Sequence, residues 1–262
     1  MKWDTIQMDT DTDRNVSFIT LNRPERMNAL NFQLIAELTE ALDRCAEDEL
    51  INVVVLQGAM RYFCVGADIK EVSELEGACQ LYSFLDKVRI MFQKIELLPK
   101  PVVAAVQGFA LGGGCELALA CDLRLAAESA EFGVPEIQIG AIPGGGGTSR
   151  LSRVIGPTWA KEMVFLGERV SAHEAYRIGL VNRVFPNDRF KEEVLSYAHK
   201  LGQKAPLAIR FAKQSIDCSF SIDPSSSRII EVLSGALVHD TEDRKEGMKA
   251  FLEKRKPVFR GK

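Results

Sequence analysis

Apolar and polar residues alternate in two short segments near the start of the chain, residues 5–8 and 16–21, which flank the polar stretch 11–14. Alternation with a period of two is typical of half-buried strands, so these segments predict a β-hairpin. The period then changes to that of a helix, and Asn31 can cap a helix that runs to about Ala46. The apolar face of this helix consists of Leu34, Ile35, Leu38 and Leu42.

Short apolar runs and longer helical segments alternate through the middle of the chain. The runs predict strands at residues 52–56, 101–106, 123–126 and 180–185, with 131–133 as a further candidate. The intervening segments predict helices at residues 70–98, from 116 and from 148. Right-handed crossovers would place these strands in parallel sheets with the helices outside, so the predicted fold class is α/β.

The pattern after residue 187 predicts helices only, with breaks at Pro206 and Pro224. We therefore divide the chain into a core, residues 1–200, and a C-terminal helical region, residues 201–262. The apolar positions of this helical region exceed what one thin helical layer can bury alone. They are expected to cover the core or to face another subunit.

Composition removes several functional classes. The 262 residues carry a net charge of −3, without a basic block, which argues against nucleic acid or an anionic membrane as the main partner. The N-terminal segment lacks the apolar core of a secretion signal, and no run reaches the roughly 20 apolar residues of a membrane span. Six cysteines without a Cys-x-x-Cys pair predict reduced thiols and a cytoplasmic protein. The three histidines lie far apart in sequence and predict no metal site.

The glycine run 112–114 is the first candidate for chemistry. It joins the apolar run 101–106 to a helix whose first turn contains Glu116. A helix N-terminus has unpaired N–H groups and a partial positive charge, which suits a phosphate or an oxyanion formed during a reaction. Close packing of helix and strand would also explain the glycines. A dinucleotide fingerprint is excluded because Leu117 occupies its last glycine position, and a P-loop because no Gly-Lys-Ser/Thr follows.

A second carboxylate, Glu136, lies in the long loop 135–147, which ends in four glycines. Glu116 and Glu136 both have apolar or glycine-rich neighbours, where ionisation is disfavoured. Two carboxylates at one site also move each other's pKa values apart, so that one holds a proton while the other does not. Such a pair can perform acid/base chemistry without metal or histidine. Sequence spacing alone leaves open whether the two meet in space.

Five segments in order along the chain resemble the crotonase (enoyl-CoA hydratase/isomerase) superfamily. They are residues 22–30, 63–69, 100–116, 135–148 and 246–255. The likeness covers nearly the whole chain. It implies a spiral of ββα turns with a C-terminal helical region, assembled as a homotrimer or a dimer of trimers.

The resemblance also implies roles for individual residues. Ala67 and Gly113 match the two backbone N–H donors that hold a thioester oxygen, in agreement with the helix N-terminus described above. Glu116 and Glu136 match the two glutamates of the family's hydratases. Gly144 matches a glycine whose N–H helps to hold the reacting water.

A coenzyme A site is implied as well, and its coenzyme belongs to the substrate, so no separate cofactor and no metal is expected. Three positions match residues whose backbone contacts the adenine of coenzyme A: Cys64, Ala67 and Ile69. Asp68, in the same motif, is included with them as a candidate. Arg26, Lys70 and Lys254 are candidates to pair with coenzyme phosphates, although most surface cations are only solvated.

The presence of both glutamates favours hydration of a trans-2-enoyl-CoA, because water must be activated and a proton delivered to the neighbouring carbon. An enoyl-CoA delta isomerase, which commonly keeps only the later glutamate, is the alternative, together with a cyclic dienoyl-CoA hydratase. A non-catalytic RNA-binding member of the family is a remote alternative, and the acidic charge counts against it. Acyl-chain preference does not follow from the sequence, where Leu75, Leu81, Phe84 and Val88 could line the pocket or belong to the core.

Overall fold

The computed structural model describes residues 3–13 and 15–262. Met1, Lys2 and Arg14 lie outside these ranges. The start of the N-terminal segment and the last residue of the polar stretch 11–14, which the sequence predicts as the hairpin turn, are therefore outside the described residues. The predicted hairpin is confirmed in the described residues on either side, where Ile6–Asp11 pairs antiparallel with Val16–Leu21.

Nine strands within the described ranges form two sheets. They are β1 (Ile6–Asp11), β2 (Val16–Leu21), β3 (Val53–Gly58), β4 (Val102–Val106), β5 (Phe109–Leu111), β6 (Leu123–Ala127), β7 (Glu131–Gly133), β8 (Arg169–Ser171) and β9 (Arg183–Phe185). The larger sheet has the order β1-β2-β3-β4-β6-β9 and is parallel from β2 onward. The smaller sheet, β5-β7-β8, was only partly predicted, because β5 and β8 have three residues each and too few positions to establish a period.

Ten α-helices surround the sheets in the described part of the chain. They are α1 (Phe32–Glu47), α2 (Ile69–Ser73), α3 (Gly77–Leu97), α4 (Gly113–Ala120), α5 (Gly147–Leu166), α6 (Ala172–Arg177), α7 (Phe190–Gly202), α8 (Pro206–Ser219), α9 (Pro224–His239) and α10 (Glu242–Leu252). The side chain of Asn31 caps α1 by accepting from the N–H of Leu34, as predicted. Pro206 and Pro224 open helices α8 and α9, because proline at the first helical position loses no hydrogen bond.

The central strands β3 and β4 of the larger sheet are buried on both faces, which explains why they read as continuous apolar runs. In β3, Val54 and Leu56 pack toward the side that holds α1 and α3, whereas Val53 and Val55 pack toward α7. Successive side chains of a strand point to opposite faces, so an alternating pattern would have left one face polar. The α/β fold class is confirmed, and α4 packs against β5 of the smaller sheet, against α3 and against α5.

The C-terminal helices α8, α9 and α10 leave much of their apolar surface exposed. Neither α8 nor α9 contains a buried residue. The exposed large apolar residues in this region are Ile216, Phe220, Ile229, Val232, Leu233, Leu237, Met248, Phe251, Leu252 and Val258. Exposed apolar surface on this scale typically marks an interface.

Lys213 connects α8 to the core. Its Nζ donates to Asp122 Oδ2 at 2.9 Å and to the carbonyl oxygens of Ile95 and Lys100 at 3.3 Å each, and its side chain is 9% exposed. We expect Lys213→Met to lower the free energy of unfolding by about 2 kcal/mol, because it leaves a partly buried carboxylate without its cation. Urea unfolding measures this change.

The matched control for this prediction is Lys204→Met, since Lys204 is exposed. A Lys213→Met/Asp122→Asn double variant is expected to recover part of the loss, because it removes both charges. Equal unfolding midpoints for the two single lysine variants would contradict the role of Lys213.

Candidate active site

Two backbone N–H groups from separate segments meet at the N-terminus of α4. A Cβ atom built at Gly113 would lie 3.5 Å from Ala67 N, and one built at Gly66 would lie 3.0 Å from Gly113 N. Ala67 is held in place by a parallel bridge to Leu30. Neither the Ala67 N–H nor the Gly113 N–H donates to another described residue. Together they form a pair of free donors of the kind that stabilises an oxyanion.

Gly112 and Gly114 make this close approach possible. Gly112 has φ 51° and ψ −127°, a conformation that side chains disfavour. A Cβ atom at Gly114 would lie 2.1 Å from the carbonyl oxygen of Cys64, so only glycine fits between α4 and the loop before α2. The glycine run therefore serves both backbone geometry and close packing, and the second of these is the structural explanation that the sequence left open.

Glu116 is buried inside the molecule, with 3% of its surface exposed. Its Oε1 accepts hydrogen bonds from the N–H groups of Gly145 (2.9 Å) and Gly147 (2.7 Å), at the start of α5. Burial and the charge of Glu136 raise the pKa of Glu116, whereas the two N–H donors and Arg150 lower it, and the net result is a pKa of about 7. Near neutral pH this carboxyl group therefore populates both protonation states.

Glu136 reaches the same site from the short 3-10 helix Pro135–Ile139. Its Oε1 lies 2.9 Å from the position that a Cβ atom would take at Gly112. Its Oε2 is buried and makes no hydrogen bond with any described residue. Burial raises the pKa of Glu136, which favours the protonated form. The structure thus brings together the two carboxylates whose meeting the sequence could not establish.

The rest of the glycine loop supplies contacts that sequence reasoning missed. Gly144, the predicted water-holding residue, is exposed and lies against Leu85, whose Cδ2 would be 3.2 Å from a Cβ at Gly144. Gly145 and Gly147 bind Glu116, and the water-holding role of Gly144 stays a prediction. Phe92 contacts the same loop and lies 2.9 Å from the position of a Cβ at Gly145. Leu85 and Phe92 are seven residues apart and so share one face of α3, and this spacing is the sequence signal that could have predicted both contacts.

The four pocket candidates in the 71–98 region divide between core and surface. Phe84 and Val88 belong to the core, with 2% and 3% of their surfaces exposed. Leu75 is partly buried against that core, and Leu81 is 40% exposed. The core explanation that the sequence left open therefore applies to Phe84 and Val88.

The predicted coenzyme residues occupy different environments. Cys64 is fully buried, and its N–H and C=O both pair with β5, so its position does not fit a backbone contact with a ligand. The carboxylate of Asp68 accepts from Arg23 at 2.9 Å, a partner that the sequence did not indicate. The side chains at the surface beside them are Ile69, Lys70 and Arg26, and Lys254 is exposed near the C-terminus.

Two further findings concern the described residues only. Residues 3–13 and 15–262 contain no group of three or more His, Cys, Asp or Glu side chains arranged to hold a metal ion. None of the helices in these ranges combines the length and the apolar character needed to cross a membrane.

Comparison with known proteins agrees with this geometry. The family described as enoyl-CoA hydratase/isomerase matches residues 11–262. A 2,3-dehydroadipyl-CoA hydratase of Escherichia coli is 42% identical over 249 residues, which cover 95% of this chain and 96% of that protein. A short-chain-enoyl-CoA hydratase of Clostridium acetobutylicum is 40% identical, with 92% of each chain covered.

Solved structures give the same result. A crystal structure of an enoyl-CoA hydratase from Bacillus anthracis is similar with a TM-score of 0.95 and 40% identity, covering 99% of this chain and 100% of that one. An enoyl-CoA hydratase from Mycobacterium smegmatis has a TM-score of 0.93 and 34% identity, with 98% and 99% covered. The chain belongs to the enoyl-CoA hydratase/isomerase family, the crotonase superfamily, and its fold is the crotonase fold.

Proposed function

We propose that this chain is an enoyl-CoA hydratase, which reversibly adds water syn across the C2=C3 double bond of a trans-2-enoyl-CoA thioester to give a 3-hydroxyacyl-CoA. The observation that carries this proposal is the buried Glu116 and the partly buried Glu136, in a site that also holds two free backbone N–H groups. Relatives named as hydratases at about 40% identity over nearly the whole chain support the same activity.

The N–H groups of Ala67 and Gly113 bind the thioester oxygen in the proposed mechanism. Attack at C3 moves electrons of the double bond toward C2 and the carbonyl, so negative charge collects on that oxygen as an enolate. The positive end of α4 and the two free donors stabilise this charge, and one such donor is typically worth about 3–4 kcal/mol in the transition state.

Glu116 acts as the base and Glu136 as the acid in the hydration direction. Glu116 accepts two N–H hydrogen bonds, which favour its ionised form, so it can take a proton from water as the oxygen bonds to C3. Glu136 makes no such bonds at Oε2 and is favoured in its protonated form, so it delivers a proton to C2. Dehydration reverses both transfers, and the two labels belong to one coupled proton network.

Substrate tests separate the members of the family. We expect crotonyl-CoA to be hydrated, which is followed by the loss of ultraviolet absorbance of its conjugated thioester. A 3-enoyl-CoA and a cyclic dienoyl-CoA serve as competing substrates in parallel assays. Faster conversion of the 3-enoyl-CoA to a conjugated product would identify an isomerase instead, and a salt-dependent RNA shift without turnover would identify a binding protein.

The pH dependence follows from the raised pKa of Glu116. Because the base must be ionised, kcat/KM for crotonyl-CoA is expected to rise with pH and to reach half of its maximum near pH 7, the raised pKa of Glu116. Well below that midpoint the rate falls about tenfold per pH unit, since the ionised fraction does. A rate that stays constant across the neutral range would contradict Glu116 as the base.

The proposed coenzyme A site consists of five of the predicted residues: Ala67, Asp68, Ile69, Lys70 and Arg26. Ile69 and the two cations are exposed, so they are accessible to an adenine ring and to phosphates. Asp68 is paired with Arg23 and acts by shaping the loop rather than by binding the coenzyme directly.

A homotrimer or a dimer of trimers is the proposed assembly, with residues 201–262 as the region that joins the subunits. The exposed apolar residues of α9, such as Val232 at 71% exposure, support an interface there. Analytical ultracentrifugation tests this, and a monomeric mass at micromolar concentration would contradict it. All six cysteines are free, which supports a reducing compartment such as the cytoplasm.

A further inference from the structure

Arg150, in the first turn of α5, lies directly beneath the catalytic glycine loop. Its Nη1 donates to the carbonyl oxygen of Gly145 at 2.6 Å, and its Nε donates to Glu96 Oε1 on α3, also at 2.6 Å. The side chain is 15% exposed, and its guanidinium carbon lies 5.4 Å from the centre of the Phe92 ring. The guanidinium is therefore fixed by an ion pair, a hydrogen bond and an aromatic face at once.

The same glycine that accepts from Arg150 donates to the proposed base. The C=O of Gly145 binds the guanidinium, and its N–H binds Glu116 Oε1. Nη1 of Arg150 would lie only 2.1 Å from a Cβ at Gly146, so the arginine packs against a position where any side chain would displace it. Glycine residues have the widest backbone freedom, and a run of four needs outside contacts to hold one conformation.

The charged groups that face Glu116 come from two elements. Glu136 approaches from its 3-10 helix and raises the pKa of Glu116, whereas the positive charge of Arg150 on α5 lowers it. The neighbouring Cys115 thiol stays neutral, because burial raises its pKa to about 12. The charge of Arg150 thus partly offsets the effect of burial on the pKa of Glu116, and its hydrogen bond also fixes the loop.

We propose that Arg150, oriented by Glu96, is a positioning residue that fixes the Gly145 peptide groups and thereby holds the Glu116 carboxylate in its reactive orientation and ionised form. It contacts neither the thioester nor the reacting water. The inference rests on the proposed hydratase function for its kinetic consequence, but the effect on the Glu116 carboxyl group is independent of any substrate.

The experiment compares Arg150→Gln, Arg150→Lys and Glu96→Gln with the wild type. We expect Arg150→Gln to lower kcat for crotonyl-CoA by about 100-fold, a typical loss for a misplaced catalytic group, with KM changed far less. The acid limb of its pH–rate profile is expected to move to higher pH, because the cation that favours ionised Glu116 is gone. Arg150→Lys retains the charge, so its limb stays near the wild-type position although kcat falls. Glu96→Gln gives a smaller loss of kcat.

Arg153→Gln is the matched control, since Arg153 lies on the same helix and is exposed. Carbon-13 NMR of glutamate-labelled protein, with the Glu116 signal assigned by its loss in Glu116→Gln, measures the titration without substrate. A titration of Glu116 that is identical in Arg150→Gln and the wild type would overturn the proposal, even if kcat and thermal stability both fall. A shifted titration in a protein whose wild type hydrates no enoyl-CoA would support the positioning role and end the hydratase assignment.

Discussion

A Glu116→Gln variant is expected to lose about 10³-fold in kcat for the hydration of crotonyl-CoA, within the range that general acid–base groups typically contribute. The amide cannot take a proton from water, but its oxygen can still accept from the N–H groups of Gly145 and Gly147. The loop should therefore keep its shape, and KM should change little because coenzyme contacts lie elsewhere. Steady-state kinetics on purified protein measures both constants.

The same substitution is expected to stabilise the folded protein at alkaline pH. Burial raises the pKa of Glu116 from an ordinary 4.5 to about 7, so the native state binds this proton more tightly than the unfolded state does. Below pH 4.5 both states are protonated and the wild type carries no penalty. As pH rises from 4.5 to above 7 the wild type loses about 3 kcal/mol, because a difference of 2.5 pKa units corresponds to that free energy.

The neutral glutamine avoids this loss, so urea unfolding should show a more stable Glu116→Gln variant above pH 7 and equal stability in acid. Glu128→Gln, at an exposed position, is the control and should follow the wild type at every pH. Reduced activity together with increased stability would separate lost chemistry from lost structure. Near-wild-type hydration by Glu116→Gln would end its assignment as the base.

A Gly114→Ala variant is expected to lose both stability and activity. The added Cβ would lie 2.1 Å from the carbonyl oxygen and 2.6 Å from the carbonyl carbon of Cys64, and these backbone atoms cannot turn away as a flexible side chain could. Overpacking of this kind typically costs about 1–3 kcal/mol. Moving α4 from the loop also separates the N–H groups of Ala67 and Gly113, and loss of one such donor typically lowers kcat by about 10²–10³-fold.

Urea unfolding and crotonyl-CoA kinetics, carried out on the same preparation, test this prediction. The control is Gly247→Ala in α10, where the new Cβ would meet Phe259 at 3.4 Å, an ordinary contact. Alanine also favours a helix interior more than glycine does, so this control should be at least as stable as the wild type. A Gly114→Ala variant with unchanged kcat would contradict the placement of the two donors.

Local patterns determined the elements of this protein wherever they were long enough to have a period. Asn31 and the apolar face after it determined α1, and the buried runs at β3 and β4 determined the centre of the larger sheet. Signals of this kind depend on neighbours within a few residues, so the sequence contains them directly. The three-residue strands β5 and β8 lacked such a signal, because pairing with distant strands is what forms them.

The sequence by itself also determined the family, since several motifs occur in the family's order, and it predicted the acidic and glycine residues to which we assign the chemistry. Only the tertiary structure decided what these residues touch. The bonds from Gly145 and Gly147 to Glu116, the approach of Glu136 to Gly112, and the ion pair of Arg150 with Glu96 join segments that lie far apart in the chain. Such contacts depend on how helices and loops pack against the sheet, and no local period encodes that packing.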